Sequence, residues 1–283
     1  MDPGPSLGSR IIGAIRLTHP FPSVLDGLVV GGVAALGGAD APAIVRLGVA
    51  MTALQLGIGA LNDLVDVPRD AGRKPGKPIP AGLVTTRAAG RIAIGAFGLG
   101  ILLAVPGGVI LLALAAVVVA IGVSYDLWFK GTAWSWLPFA IGIPLLPVFG
   151  WVGATGALSP MFVVLVPVAV AGGAALAIGN ALVDVDRDRA AGGTSVVIAV
   201  GEGPARAIAI GLLVSIAIAA SGAVAWLGRG GPTVVAIGAL GAVPALAAAM
   251  AGPIDPGRRE VAWRAEAIGL GVLAIAWIRA VIG

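Results

Sequence analysis

Apolar stretches long enough to cross a lipid bilayer recur along this chain with only short polar breaks between them. A hydrocarbon core about 30 Å thick takes about 20 helical residues to cross. Runs of that size fall near residues 22–38, 42–62, 86–104, 107–124, 134–153, 159–183, 204–227, 232–251 and 262–282. The chain is therefore expected to be an all-α integral membrane protein with about nine transmembrane helices in one bundle. Its composition agrees, since 58% hydrophobic and 11% charged residues with a mean hydropathy of +1.03 lie far from soluble domains. No polar linker is long enough to separate two membrane units, so residues 1–283 read as a single polytopic domain. The 45 glycines suit close helix contact in lipid better than they suit loops.

The absence of cysteine excludes disulfides, thiolate metal sites and cysteine nucleophiles, and a single histidine, His19, leaves little room for imidazole metal sites. His19 precedes the first span and reads as an interfacial residue. Arg10 and Arg16 precede it too, without a small-residue cleavage site after a short apolar region, so that run reads as a retained span. With the N-terminus in the cytoplasm, 15 of the 18 basic residues fall in the tail and the even-numbered connections. Only Arg46, Arg229 and Arg279 lie on the other side, a strong bias by the positive-inside rule. The net charge of +4 is thus a topology signal, which argues against nucleic acid as a partner. A prokaryotic cell membrane is the expected location.

The polar breaks contain a repeat. Asn62 to Asp70 reads NDLVDVPRD, and Asn180 to Asp188, 118 residues later, reads NALVDVDRD, with seven of nine positions identical. Both copies fall where an expected span reaches the cytoplasmic side, after the second and the sixth. If each segment stays helical, the i, i+4, i+8 spacing puts Asn62, Asp66 and Asp70 on one face, and likewise Asn180, Asp184 and Asp188. Asp63 and Asp186 add carboxylates on adjoining faces.

An Asp within a membrane helix costs about 2.5–3.5 kcal/mol on insertion scales, and like charges one turn apart repel, so the cluster calls for a counter-charge. Carboxylate and amide oxygens without Cys or His point to magnesium or calcium, and magnesium commonly combines a few carboxylates with substrate phosphates. Four face carboxylates at about −4, two magnesium ions at about +4 and a diphosphate at about −3 leave a negative balance for basic groups. Arg73, Lys74 and Lys77 follow the first motif, Arg187 and Arg189 accompany the second, and Lys130 ends the connection YDLWFKG. A merely solvated, salt-bridged loop face is the ordinary fate of such charges, but duplication beside the membrane favours a site.

These residues resemble the UbiA superfamily of intramembrane prenyltransferases, whose members have nine transmembrane helices and two Asp-rich motifs. The family's first motif, N-D-x-x-D-x-x-x-D, is matched in full by Asn62, Asp63, Asp66 and Asp70. KPIPAG at Lys77 to Gly82 looks like the R-P-[IL]-x-[AS]-G that follows it in the family. The second motif, commonly D-x-x-x-D-x-x-x-D, is matched by Asp184 and Asp188, with Asn180 where many members have Asp. Tyr125 and Lys130 are similar to the family's Tyr and Lys between the fourth and fifth helices, at a spacing one longer than in some members.

The resemblance implies an enzyme that transfers a prenyl group from a prenyl diphosphate to a lipid-soluble, aromatic acceptor, with membrane lipid around it. The implied cofactor is magnesium, two ions, held directly or through water by Asn62, Asp63, Asp66, Asp70, Asn180, Asp184 and Asp188. Among these, Asp66, Asp70, Asp184 and Asp188 are the implied catalytic set, and Arg73, Lys77, Tyr125 and Lys130 the diphosphate-binding set, facing the cytoplasm. Trp128, Trp134 and Trp136 suit an interfacial belt, and Asp126 and Asp186 suit solvated surface. Two other readings compete. The CDP-alcohol phosphotransferases carry D-G-x-x-A-R, whereas Asp26-Gly27 here continues as Leu-Val-Val. Cation transporters with repeated halves hold their acids near the midplane, not beside surface Arg and Lys.

Overall fold

The computed structural model describes residues 5–70, 76–190, 192–251 and 255–283, with the side chains of 69, 70 and 256 set aside. All regular structure among them is helical. In chain order the helices are α1 (Leu7–Leu17), α2 (Pro20–Leu36), α3 (Ala41–Val65), α4 (Val67–Asp70), α5 (Thr86–Ala104), α6 (Gly108–Ser124), α7 (Leu137–Gly142) and α8 (Leu145–Thr155). They continue with α9 (Phe162–Ala190), α10 (Val196–Val200), α11 (Glu202–Trp226), α12 (Gly231–Met250) and α13 (Pro256–Ile282). Capping residues mark the starts: the side chains of Ser6, Asp40, Thr85, Ser195 and Asp255 each accept from a backbone N–H of the first turn.

Seven helical stretches among the described residues are long and apolar enough to cross a membrane, and α1 with α2, bent by 55°, makes an eighth if the pair is one span. One of the seven, residues 86–129, is 44 residues long. At 1.5 Å per residue it measures about 66 Å, roughly two hydrocarbon thicknesses. It is interrupted by a 3-10 turn at Val105–Gly107 and by Gly108 at φ +75°, and α5 packs back on α6. The stretch thus contains two of the expected spans, 86–104 and 107–124, folded as a hairpin. Outward faces carry apolar residues such as Ile94, Leu102, Val109, Ile218 and Val235, as a lipid solvent requires.

The chain divides into two compact units. The first comprises residues 1–127 and 152–156, the second residues 128–151 and 157–283. In the first, α3 is central and packs on α2, α5 and α6. Glycine makes these contacts possible: a Cβ on Gly27 would run into Thr52 Oγ1 and the Gly48 carbonyl, and one on Gly122 into Ile58. In the second unit α9 packs on α7, α11 and α13, and α12 packs on α11 and α13. Gly173 of α9 lies against the Phe139 backbone, where a Cβ would not fit. Trp277 Nε1 donates to the Ala220 carbonyl at 3.2 Å, pinning α13 to α11 within the core.

Candidate functional site

In the first unit, α3 stays helical to Val65 and carries Asn62 and Asp63 on its last turn and Asp66 as its C-cap, with the Asp66 N–H donating to the Asn62 carbonyl at 3.0 Å. Pro68 follows, and the chain turns into the short α4. Asp63 and Asp66 are each only 3% exposed, at the end of a helix whose dipole also presents negative charge. That placement demands a cation, and Lys77 supplies one. Its Nζ lies 2.9 Å from Asp63 Oδ1 and 3.3 Å from Asp66 Oδ2.

Lys77 is held by its loop. The Ala81 N–H donates to the Lys77 carbonyl, and the Leu83 and Val84 N–H groups donate to the Pro78 carbonyl. Gly82 at φ +69° permits the turn. Val84 joins Leu17, Ala60, Ala89 and Ala93 in a small core, so the loop is pinned on α1, α3 and α5. Arg16 Nη2 donates to the Gly76 carbonyl at 2.9 Å, tying α1 to this loop.

Two residues read from sequence as peripheral belong to this cluster. His19, which reads as interfacial, places Nε2 3.1 Å from Asp63 Oδ1. It adopts a left-handed φ of 49° between α1 and α2, a conformation costing on the order of 1–3 kcal/mol for a non-glycine residue. The α1–α2 turn passes so close to α3 that a Cβ on Gly59 would meet the Thr18 carbonyl. Asp126, which reads as solvated, is 2% exposed and accepts from Asn62 Nδ2 at 2.6 Å. Tyr125 and Asp126 open a single π-helical turn, Tyr125–Phe129, a type of defect that recurs at functional sites.

In the second unit, α9 remains helical through Ala190, so Asn180, Asp184 and Asp188 share one face over its last three turns. Asp184 Oδ1 pairs with Arg187 at 2.7 Å. Asp186, read as solvated, is exposed yet tied: Arg259 of α13 reaches its Oδ2 at 3.1 Å and Arg189 its Oδ1 at 3.7 Å. Arg189 also meets Glu202 at 2.8 Å, fastening the end of α9 to the start of α11. Lys130, partly buried, follows the π-helical turn.

Asn62, Asp63, Asp66 and Lys77 are therefore brought together in one cluster, and Asn180, Asp184 and Asp188 form one helical face. The Asp70 side chain and all of Arg73 lie outside the described residues. No three His, Asp or Glu groups converge as a cage among the described residues. The fit for a hard cation rests on the donors: two buried carboxylates already aim oxygens at one cationic centre, now the Lys77 ammonium, beside an amide oxygen. Such a partial oxygen set is what magnesium takes when substrate phosphates complete its shell.

Comparison with known proteins places these features. A sequence profile of the UbiA prenyltransferase family matches residues 26–277. The digeranylgeranylglyceryl phosphate synthase of Natronomonas pharaonis is 32% identical over 124 residues, 43% of this chain, and the match spans only 45% of that relative's length. Among solved structures, an apo UbiA homolog from Aeropyrum pernix superposes with a TM-score of 0.72 at 18% identity, covering 93% of this chain and 98% of the other. A UbiA homolog from Archaeoglobus fulgidus bound to GPP and Mg2+ superposes with a TM-score of 0.67 at 18% identity, over 95% and 99% of the two chains.

Proposed function

The chain belongs to the UbiA prenyltransferase family, and from that premise we propose that its two Asn-x-x-x-Asp-x-x-x-Asp segments act as one magnesium-dependent site that moves a prenyl group from a prenyl diphosphate to a membrane-soluble acceptor. The observation that carries this reading is the duplicated motif: the first copy closes α3 with Asn62, Asp63 and the C-cap Asp66 before the chain turns at Pro68, so it does not continue as one helix face, and the second lies along one face of α9. Both ends are negative by side chain and by dipole, which suits two cations and a diphosphate. The proposed architecture is one catalytic domain of nine spans with the N-terminus and the site on the cytoplasmic side, supported by the basic asymmetry.

In this reading Asn62, Asp63, Asp66 and Asp70 hold one ion and Asn180, Asp184 and Asp188 the other. When bound, magnesium supplies positive charge against the diphosphate as the allylic carbon–oxygen bond breaks. Lys77, freed from the carboxylates by that charge, turns to the phosphate oxygens, with Arg73, Tyr125 and Lys130 as further donors. The carbon–oxygen bond electrons leave with inorganic diphosphate, a bond forms from the acceptor nucleophile to the prenyl carbon, and the acceptor loses a proton. The surrounding helices keep water from the electron-poor carbon.

The sequence reading favours an aromatic acceptor. A second reading, a glyceryl phosphate lipid, is favoured by the name of the curated relative. The test measures diphosphate release and prenylated product as magnesium is varied, with each acceptor class in turn. Asp66→Asn and Asp184→Asn nearly conserve volume, and each is expected to lower turnover at least about a hundredfold while the protein still inserts. The double variant should be little worse than either single one, since ligands serving one transition state are non-additive. Full activity in Asp184→Asn beside a dead Asp66→Asn would sink the two-motif reading.

A further inference from the structure

Helix α1 has two unlike faces. Leu7, Ile11, Ile12 and Ile15 are each more than half exposed. At about 100° per residue they share an arc of about 140°, and the buried Gly13 and Leu17 lie opposite its middle. Arg10 and Arg16, both exposed, stand on the two flanks of that arc. From Pro5 to Leu25 the chain has no acidic residue.

Placement along the chain says what lies against the apolar arc. The 17 residues of α2 measure about 26 Å and cover most of a hydrocarbon core about 30 Å thick. Only Thr18 and His19 separate α1 from α2, and the two helices are bent by 55°. The shorter helix is therefore left at the boundary between hydrocarbon and headgroups. There its isoleucines meet the acyl chains, and the long arginine side chains at its edges reach the level of the lipid phosphates.

The opposite face of α1 rests on the loop that carries Lys77. A Cβ on Gly13 would run into Leu83, Leu17 packs with Val84, and Arg16 donates to the Gly76 carbonyl. The Leu83 and Val84 N–H groups in turn donate to the Pro78 carbonyl, beside the lysine that bridges Asp63 and Asp66. Helix α1 thus lies between the bilayer surface and that loop.

We propose that α1 docks on anionic phospholipid, with Arg10 and Arg16 on lipid phosphates at either flank of the inserted isoleucines, and that this contact braces the Lys77 loop against α3. Charge selects the lipid. Arg10 Nε donates to the Pro5 carbonyl and Arg16 Nη2 to Gly76, and a guanidinium has five N–H donors, so each arginine retains others for a phosphate. A zwitterionic headgroup presents its own cation beside its phosphate and gives two arginines less net attraction. The inference does not depend on the prenyl-transfer reading, and its test reads no turnover.

The full-length protein is placed in nanodiscs of phosphatidylcholine alone or mixed with phosphatidylglycerol, and deuterium uptake over residues 77–84 is followed without substrate. Phosphatidylglycerol is expected to slow exchange in that segment about fivefold, the affinity one arginine gains beside an anionic surface, while uptake at the turn 227–231 stays constant. High salt should erase the difference by screening. Arg10 hydrogen-bonds to Pro5 rather than to the loop, so Arg10→Gln should lose the response with the fold intact, and Arg10→Lys should keep it. A polarity-sensitive dye on Ile12→Cys should shift to the blue in phosphatidylglycerol as that face settles deeper. Equal uptake and equal emission in the two bilayers would overturn the proposal, as would a full response in Arg10→Gln. If inorganic phosphate added to phosphatidylcholine nanodiscs reproduced the slowing, the arginines would form a soluble-anion site and the lipid assignment would fall.

Discussion

Lys77 stands between two carboxylates that are almost wholly buried, and a pair of that kind is costly to break. Removing one partner from a buried ion pair leaves an uncompensated charge, worth about 3–5 kcal/mol. Lys77→Ala should therefore lower the unfolding temperature of the metal-free protein clearly, and millimolar magnesium should restore more stability to the variant than to the parent, by mass action. Equal magnesium responses in the two proteins would mean that the ion does not take the place of the ammonium. His19 permits a second test. His19→Ala loses the hydrogen bond to Asp63 while keeping a β-carbon at positive φ, whereas Asn tolerates that backbone and keeps a donor. Magnesium affinity, read from thermal shifts, is expected to fall about tenfold in His19→Ala and to be largely retained in His19→Asn. The four α3 and loop residues of this cluster were legible because they lie on one motif and the segment after it. His19 and Asp126 were not. Their partners lie 44 and 64 positions away, and His19 precedes Pro20, a context that locally disfavours the helical basin and gives no hint of a left-handed one.

Helix boundaries followed hydropathy closely: the expected run 204–227 is α11 at Glu202–Trp226, and 232–251 is α12 at Gly231–Met250. Hydropathy was silent where helices deform. The π-helical turn at Tyr125–Phe129 has no apolar signature, yet it takes up an extra residue between Tyr125 and Lys130, where the spacing is one longer than in some family members. The α1 helix was missed because it is amphipathic and short of a span, with Leu7, Ile11, Ile12 and Ile15 exposed as on an interfacial helix. Glycine contacts give this scale its test. Gly27→Ala meets the backbone oxygen of Gly48, which cannot swing aside, and should destabilise the α2–α3 pair by about 1–3 kcal/mol. Gly95→Ala on α5 meets open space and should be neutral or stabilising by up to about 1 kcal/mol. A thermal-unfolding comparison that ranked the two the other way would show that α2 and α3 do not approach as closely as described.

The orientation of the whole molecule rests on three basic residues as much as on the other fifteen. Arg46, Arg229 and Arg279 are the exceptions to the positive-inside pattern, and each sits where a helix end can use it. Arg46 Nη1 donates to the Leu103 carbonyl in the last turn of α5, at 2.7 Å. Arg229 Nη2 donates to the Val281 carbonyl at the end of α13, at 2.6 Å, and Arg279 occupies that same last turn. Helix C-termini leave four carbonyls without intrahelical donors and carry negative dipole charge, so a cation there is stabilised locally. These three are accounted for by helix capping, which leaves the asymmetry of the remainder as an undiluted topology signal. Because the chain has no cysteine, single-cysteine labelling reads it directly. Arg258→Cys, at an exposed position near the start of α13, should be shielded from an impermeant thiol reagent added outside intact cells. Gly230→Cys, exposed before α12, should react. Reaction of the first with protection of the second would overturn the proposed cytoplasmic N-terminus and, with it, the proposed cytoplasmic site.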